Sequence, residues 1–335
     1  MHPDVQNYID RINGNDLLLT VINLHYRNVT DDDLSLLMAA LANNPKVAQI
    51  ITQLDLSSNK LTVAPDLTGL AALECLYLGF NKLSVAPDLT GLRALKDLGL
   101  APNQLRVAPD LTGLTNLANL ELDNNKLKLS PVLTGLVALE TLSLNNNLLT
   151  VASKIKLKVE QETGAVNFTL FEFQPPNDTT LTHEILKEHF QAILENLQAA
   201  NNMLQPMRSM LVRGTGLPNE LIRMVFDFLG ENQVSPIKSR NYMELELNTF
   251  RNLLPEQQDI INDFESSDEF KSMKNACDKS LLKLESEARV DASRMKTLLN
   301  SYRLKRDTPE FQNLRDRVDP ASNPFQVTVW RPRPQ

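Results

Sequence analysis

The sequence predicts an α/β solenoid of parallel strands followed by a small all-α domain, and three observations carry that prediction. A block Leu-x-Leu-x-x-Asn recurs in phase every 22 residues, at Leu54–Asn59, Leu76–Asn81, Leu98–Asn103, Leu120–Asn125 and Leu142–Asn147. A second block, Pro-Asp-Leu-Thr-Gly-Leu, runs between them at 65–70, 87–92 and 109–114, and its fourth copy at 131–136 departs only at Val132. From about Leu181 the apolar spacing turns helical, with Ile185, Phe190, Ile193, Leu194 and Leu197 on one stripe. Self-similarity at such a period marks a stacked-repeat architecture, because one unit cannot bury its own apolar face.

Taken in chain order, residues 1–18 read as a helical cap, with the helix at roughly 3–13. The solenoid is expected over 19–174. Its first strands, at Leu19–Leu24 and Ile51–Leu56, stand 32 residues apart. Between them Thr30 followed by Asp31, Asp32 and Asp33 starts a helix, since carboxylates favour its positive end. In each 22-residue unit the leucines of an extended segment alternate inward. The Asn after the strand turns the chain and bonds neighbouring backbone from inside, and the Pro-Asp-Leu-Thr-Gly-Leu block returns on the outer side. The strand side packs more tightly, so the stack curves with strands on the concave face. After Val151 the leucine phase stops. Ile155, Leu157 and Val159, then Val166, Phe168 and Leu170, alternate around Glu162-Thr-Gly164 and predict a β-hairpin that caps the solenoid. Pro175-Pro176 marks the domain boundary.

Residues 175–319 predict a domain of five or six helices. One runs from Leu217-Pro218 to Gly230, with proline at its entry and glycine at its stop. Residues 320–335, with Pro324, Pro332 and Pro334, predict an extended tail, with Trp330 packing back on the domain.

The net charge is −7 and neither half carries a basic excess, which argues against a nucleic-acid partner. Two cysteines far apart, Cys75 and Cys277, argue against a disulfide framework and favour a reducing compartment. The first thirty residues lack a signal peptide's pattern, and no apolar run has the roughly 18–20 residues of a membrane span. These features predict a soluble cytosolic protein. No phosphate-cradling loop is present, because Arg213-Gly-Thr-Gly216 is too short and lacks the lysine. No His or Cys spacing suits zinc, so no metal and no cofactor is expected. His183 and His189 are expected at the surface.

In the strand pattern the non-leucine positions face out of the concave side. They hold Asp55, Asp97, Glu121 and Asp123, no Lys or Arg, and Tyr77, Phe80 and Pro102 side by side. Large exposed side chains ringed by acids predict a protein-binding face for a partner with a basic patch.

The short units resemble the 22-residue leucine-rich repeats of bacterial internalins, and the opening unit resembles the longer ribonuclease-inhibitor type. Joined to an unrelated α domain, they resemble the leucine-rich-repeat effectors of intracellular bacterial pathogens. That resemblance implies a non-catalytic protein that binds a host protein on its concave face, in the host cytoplasm after secretion. Leu217, Pro218, Leu221, Val225, Phe226 and Leu229 resemble the opening of an F-box, which would recruit a Skp-type adaptor of a cullin ubiquitin ligase. Cys277-Asp278 is similar to the Cys-x-Asp context of bacterial leucine-rich-repeat ubiquitin ligases, but the acid is adjacent and the helical part is about half the size. Cys277 is therefore read as an ordinary helix residue.

Overall fold

The phase of the leucines becomes the register of a sheet. The computed structural model describes residues 2–67, 69–164, 169–171, 176–213 and 242–280. Strands β1 (Val21–Asn23), β2 (Gln53–Asp55), β3 (Cys75–Tyr77), β4 (Asp97–Gly99), β5 (Asn119–Glu121), β6 (Thr141–Ser143) and β7 (Thr169–Phe171) form one parallel sheet in chain order. The pairing sets Leu54, Leu76, Leu98, Leu120 and Leu142 at one level. Each of these leucines is buried between two residues that face the other side of the sheet. Leu56, Leu61, Leu67, Leu70 and Leu73, with their equivalents in later turns, continue the same core.

The asparagines stitch the turns together. Asn103 accepts the Leu83 amide at 2.9 Å and donates to the carbonyls of Leu78 and Leu100 at 2.9 and 3.0 Å. Asn81, Asn125 and Asn147 repeat the pattern one turn apart. Buried backbone groups at the corner thus find partners that a pure leucine core would deny them. On the return side Gly91, Gly113 and Gly135 have φ between +84° and +90°. No atom lies within 4 Å of the place a Cβ would take, so glycine is there for its backbone freedom and not for space.

At the N-terminal end α1 (Pro3–Asn13) packs against α2 (Asp31–Asn43). The helix starts at Thr30 as expected, and Thr30 and Asp33 there form a capping box, with Asp33 also accepting the His2 amide at 2.8 Å. A short α3 (Pro45–Ala48) leads into β2. The first turn is 32 residues long by register, Val21 against Gln53, as the sequence implied.

At the other end the structure corrects the expected hairpin. Residues 151–162 form a helix, α4 (Val151–Glu162), with Thr150 as its N-cap accepting the Ser153 amide. The alternation of Ile155, Leu157 and Val159 misleads because α4 is buried on more than one side: Leu157 joins the solenoid core, while Ser153, Lys156 and Glu160 are buried on another stripe. Beyond α4, among the described residues, strand β7 runs parallel to β6 with Leu142 opposite Leu170. The solenoid therefore gains one more turn, long and helical like its first.

The domain boundary also moves. Residues Met1–Asn196 and Asn241–Asn275 form one compact unit, and Leu197–Arg240 with Ala276–Gln335 the other. In the first unit α5 (His183–Arg213) begins, and α6 (Tyr242–Leu253), a 3-10 turn at Pro255–Gln257, α7 (Gln258–Ser266) and a helix over 268–280, α8, start or lie there. Phe190, Phe264 and Phe270 meet at centroid distances of 5.3–5.5 Å, an aromatic core for these helices. Chain neighbours do not decide the division here. The Lys128–Glu195 ion pair, the Lys156–Glu246 ion pair and the bonds from Gln257 to Leu181 and Thr179 bind the helices into the repeat unit. The tail at 320–335 and the helix expected at Leu217–Leu229 lie outside the described residues.

Candidate binding face

Each strand of three residues presents its first and third side chains on the open face of the sheet, and the corner after it adds two more. Successive turns align these into rows. The first row is Val21, Gln53, Cys75, Asp97, Asn119 and Thr141, and the second is Asn23, Asp55, Tyr77, Gly99, Glu121 and Ser143. The corner rows hold His25, Ser57, Gly79, Ala101, Asp123 and Asn145, then Tyr26, Ser58, Phe80, Pro102, Asn124 and Asn146.

The sequence-derived acids are all on this face, and three of the four bond their neighbours. Asp97 accepts Asn119 Nδ2 at 2.5 Å and the Cys75 thiol at 3.4 Å, and Thr141 donates to Asn119 at 2.6 Å. Asp123 accepts the Ser143 hydroxyl and, at 2.6 Å, the Asn145 amide. Asp55 accepts both the amide and the hydroxyl of Ser57, at 3.0 and 2.5 Å. Glu121 is exposed. No cation of the described residues lies within ion-pair distance of these four carboxylates, so their charge is left for the surroundings. It is felt locally: burial, then Cys75 and Asp97, push the Tyr77 hydroxyl up to about 12, and burial with Asp97 raises the Cys75 thiol.

The aromatic residues are placed unequally. Tyr77 lies across Gly99, where an added Cβ would be 3.0 Å from its ring, and is only half exposed. Phe80 stands out, 65% exposed, at a backbone φ of +54°. Pro102 is half-buried beside it. Gly79 is required between them, because a Cβ there would come 2.1 Å from the Ala101 carbonyl oxygen. Sequence reasoning missed Tyr26, which takes the corner position of the first turn at φ +54° and is 76% exposed. Its signal was available: Tyr26 occupies in the first unit the place that Phe80 has in the third.

Sequence reasoning also missed a buried polar cluster, and the structure corrects the expected surface position of His189. That residue is 1% exposed. Its Nδ1 lies 3.0 Å from Thr150 Oγ1 and 3.4 Å from Ser153 Oγ, and its Nε2 lies 3.1 Å from Glu246 Oε1. Lys156 Nζ reaches the same carboxylate at 3.1 Å. Ser-His-Glu contacts suggest nucleophilic chemistry, but Ser153 is fully buried and its oxygen accepts the Ser130 amide. The cluster binds α4 to α5 and α6. Burial alone would raise Glu246 and depress Lys156. Their mutual attraction wins, bringing Glu246 to about 2 and Lys156 above its ordinary value. Glu160 feels the attraction of Lys156 too but, among the described residues, forms no ion pair at contact distance. Burial lifts it to about 7, and among the described residues its Oε2 has no hydrogen-bond donor. The spacing of Ser153, Lys156 and Glu160 on one helical stripe was the sequence signal.

His183 is half exposed, near Asp263 and Glu269. Cys277 is 1% exposed, and burial with the neighbouring Asp278 pushes its thiol up to about 11, the reverse of an activated nucleophile. Among the described residues no cluster of three or more His, Cys, Asp or Glu could hold a metal ion, and no helix is long and apolar enough to cross a membrane.

A parallel sheet in chain order, a leucine at the inner position of β2 to β6 and an asparagine at the corner after each of them define a leucine-rich-repeat solenoid with helices following it. No family model matches the chain, and no curated protein matches it. Among solved structures it is similar to a leucine-rich-repeat protein of Leptospira interrogans, at 25% identity and a TM-score of 0.37 over 46% of this chain and 37% of that one. It is also similar to the functional domain of InlJ from Listeria monocytogenes, at 18% identity and a TM-score of 0.25 over 39% of this chain and 45% of that one. The chain thus spans less than half the length of either.

Proposed function

We propose that this chain is a non-catalytic protein-binding module that holds a partner with a basic patch on the open face of its sheet. The observation that supports this is the face itself: Asp55, Asp97, Glu121 and Asp123 without an ion-pair partner among the described residues, next to Tyr77, Phe80 and Pro102. Exposed aromatics amid uncompensated charge suit a partner interface, with the acids steering a basic surface and repelling phosphates. The resemblance of the mixed repeats to pathogen effectors extends the reading to a secreted effector acting on a host protein.

The test is affinity capture by the purified full chain from eukaryotic lysate. The comparison proteins are Asp97→Asn/Glu121→Gln, Tyr77→Ala/Phe80→Ala, and Arg93→Gln, two residues past Gly91 on the return side, as an off-face control. A protein retained by wild type and the control, released by moderate salt and lost in the first two variants, supports the reading. Capture that is the same with all four proteins overturns it.

A further inference from the structure

The corner row carries two residues that its backbone does not ask for. Tyr26, Ser58, Phe80, Asn124 and Asn146 all have φ between +52° and +56°. Left-handed backbone costs an ordinary L-residue about 1 kcal/mol or more, and asparagine enters it most readily. The two later turns use asparagine there, and Asn146 bonds Asn124 side chain to side chain at 2.9 Å. Tyr26 and Phe80 instead place large rings in water at positions where a small polar residue would suit the fold better.

Their positions are related. The Tyr26 amide bonds the Ser57 carbonyl and the Ser58 amide bonds the Gly79 carbonyl, so Tyr26, Ser58 and Phe80 follow one another across three turns. Strand spacing puts the two aromatic attachment points about 10 Å apart, with only the serine between. Leaning inward, the rings can take one planar group between them at a ring-to-ring distance of about 7 Å, two van der Waals separations. Asp55 belongs to the middle turn, two residues before Ser57 and three before Ser58, whereas Asp97 pairs with Cys75 at the start of its strand, five residues back from the corner row. Of the cations near the slot in sequence, Arg27 is paired with Asp4 at 3.1 Å, and Lys60 and Lys82 follow Ser58 and Phe80 by two residues.

We propose that Tyr26 and Phe80 form a clamp for an arginine side chain presented by an extended segment of a partner protein. The guanidinium is the group that is at once planar, cationic and weakly hydrated, so it stacks on aromatic faces while its charge answers the Asp55 carboxylate of the middle turn. Lysine shares the charge and lacks the plane. This inference rests on the protein-binding reading of the face and names the partner chemistry for its N-terminal half.

The experiment is fluorescence anisotropy of the full chain with three labelled probes at low salt: Ala-Gly-Arg-Gly-Arg-Gly-Ala, its lysine analogue and its citrulline analogue. Each is titrated with wild type and with Tyr26→Asn/Phe80→Asn. The arginine probe should bind at least about tenfold tighter than either analogue, the scale of one desolvated cation–π contact. The double variant should lose that preference while melting no lower than wild type. Should it melt lower, Ser58→Leu, which keeps both rings and fills the slot, should abolish the preference instead. Equal binding of the arginine and lysine probes, undiminished binding by the double variant, or no binding at all overturns the clamp. A lysate partner still lost on Asp97→Asn/Glu121→Gln would then leave the wider reading standing, whereas a partner indifferent to every face variant would remove both.

Discussion

Replacing Glu160 by glutamine should stabilise the repeat unit at alkaline pH and have a much smaller benefit in mild acid. Glu160 is buried on α4, and its folded-state value is about 7 against an ordinary 4.5. The groups facing it are Lys156 on its own helix, which favours the charged form, and Glu246 on α6, which opposes it. His189 on α5 bonds the same Glu246. Because the folded state holds the Glu160 proton more tightly than the unfolded chain does, stability falls as pH rises from about 4.5 to about 7 and stays reduced above that. At about 1.4 kcal/mol per pH unit the rise from 4.5 to about 7 makes the full penalty about 3.5 kcal/mol. Glutamine removes it but leaves an amide without a full set of partners, a pH-independent loss. The difference between variant and wild type is therefore the quantity to read, by urea denaturation followed by circular dichroism near pH 5 and near pH 8. The variant should gain on the order of 2–3 kcal/mol at the higher pH relative to the lower. A difference that is the same at both values, or that favours wild type more at the higher one, would refute the argument that an unpartnered buried carboxylate sits there.

Other substitutions test the architecture. Asn103→Ala strips partners from the Leu83 amide and the Leu78 and Leu100 carbonyls and should cost about 3 kcal/mol in the same denaturation assay. Gly79→Ala forces a Cβ against the Ala101 oxygen and should cost about 2–3 kcal/mol, unlike an alanine placed at an exposed corner position. Thr30→Ala removes the capping box of α2 and should cost about 1 kcal/mol, with hydrogen exchange accelerating first in that helix. Cys277 should resist thiol reagents at neutral pH until the chain is unfolded; rapid native-state labelling would contradict its burial.

The stacked half of this protein was legible from the sequence because its determinants are local and repeated. Each turn touches mainly the next one, so a 22-residue phase in the sequence becomes strand register, leucine core and asparagine ladder without further information. The cap of α2 and the N-terminal helix were readable for the same reason, since a capping box spans four residues. The open-face acids and Phe80 emerged from strand alternation. Their contacts did not, since Tyr77 folds over Gly99 and three of the four acids bond their neighbours.

Tertiary structure alone decided the far end. The apolar residues of 151–162 suit a strand or a helix buried on more than one side, and the choice rests on the segments that cover them. Lys156 meets Glu246 across 90 residues of chain and His189 meets it across 57. Contacts of that span leave no periodic trace, so His189 read as a surface residue and the helices after 175 as a separate domain. A buried charge is stable only beside its partner, and for these residues the partner is supplied by a segment that only the folded chain brings near.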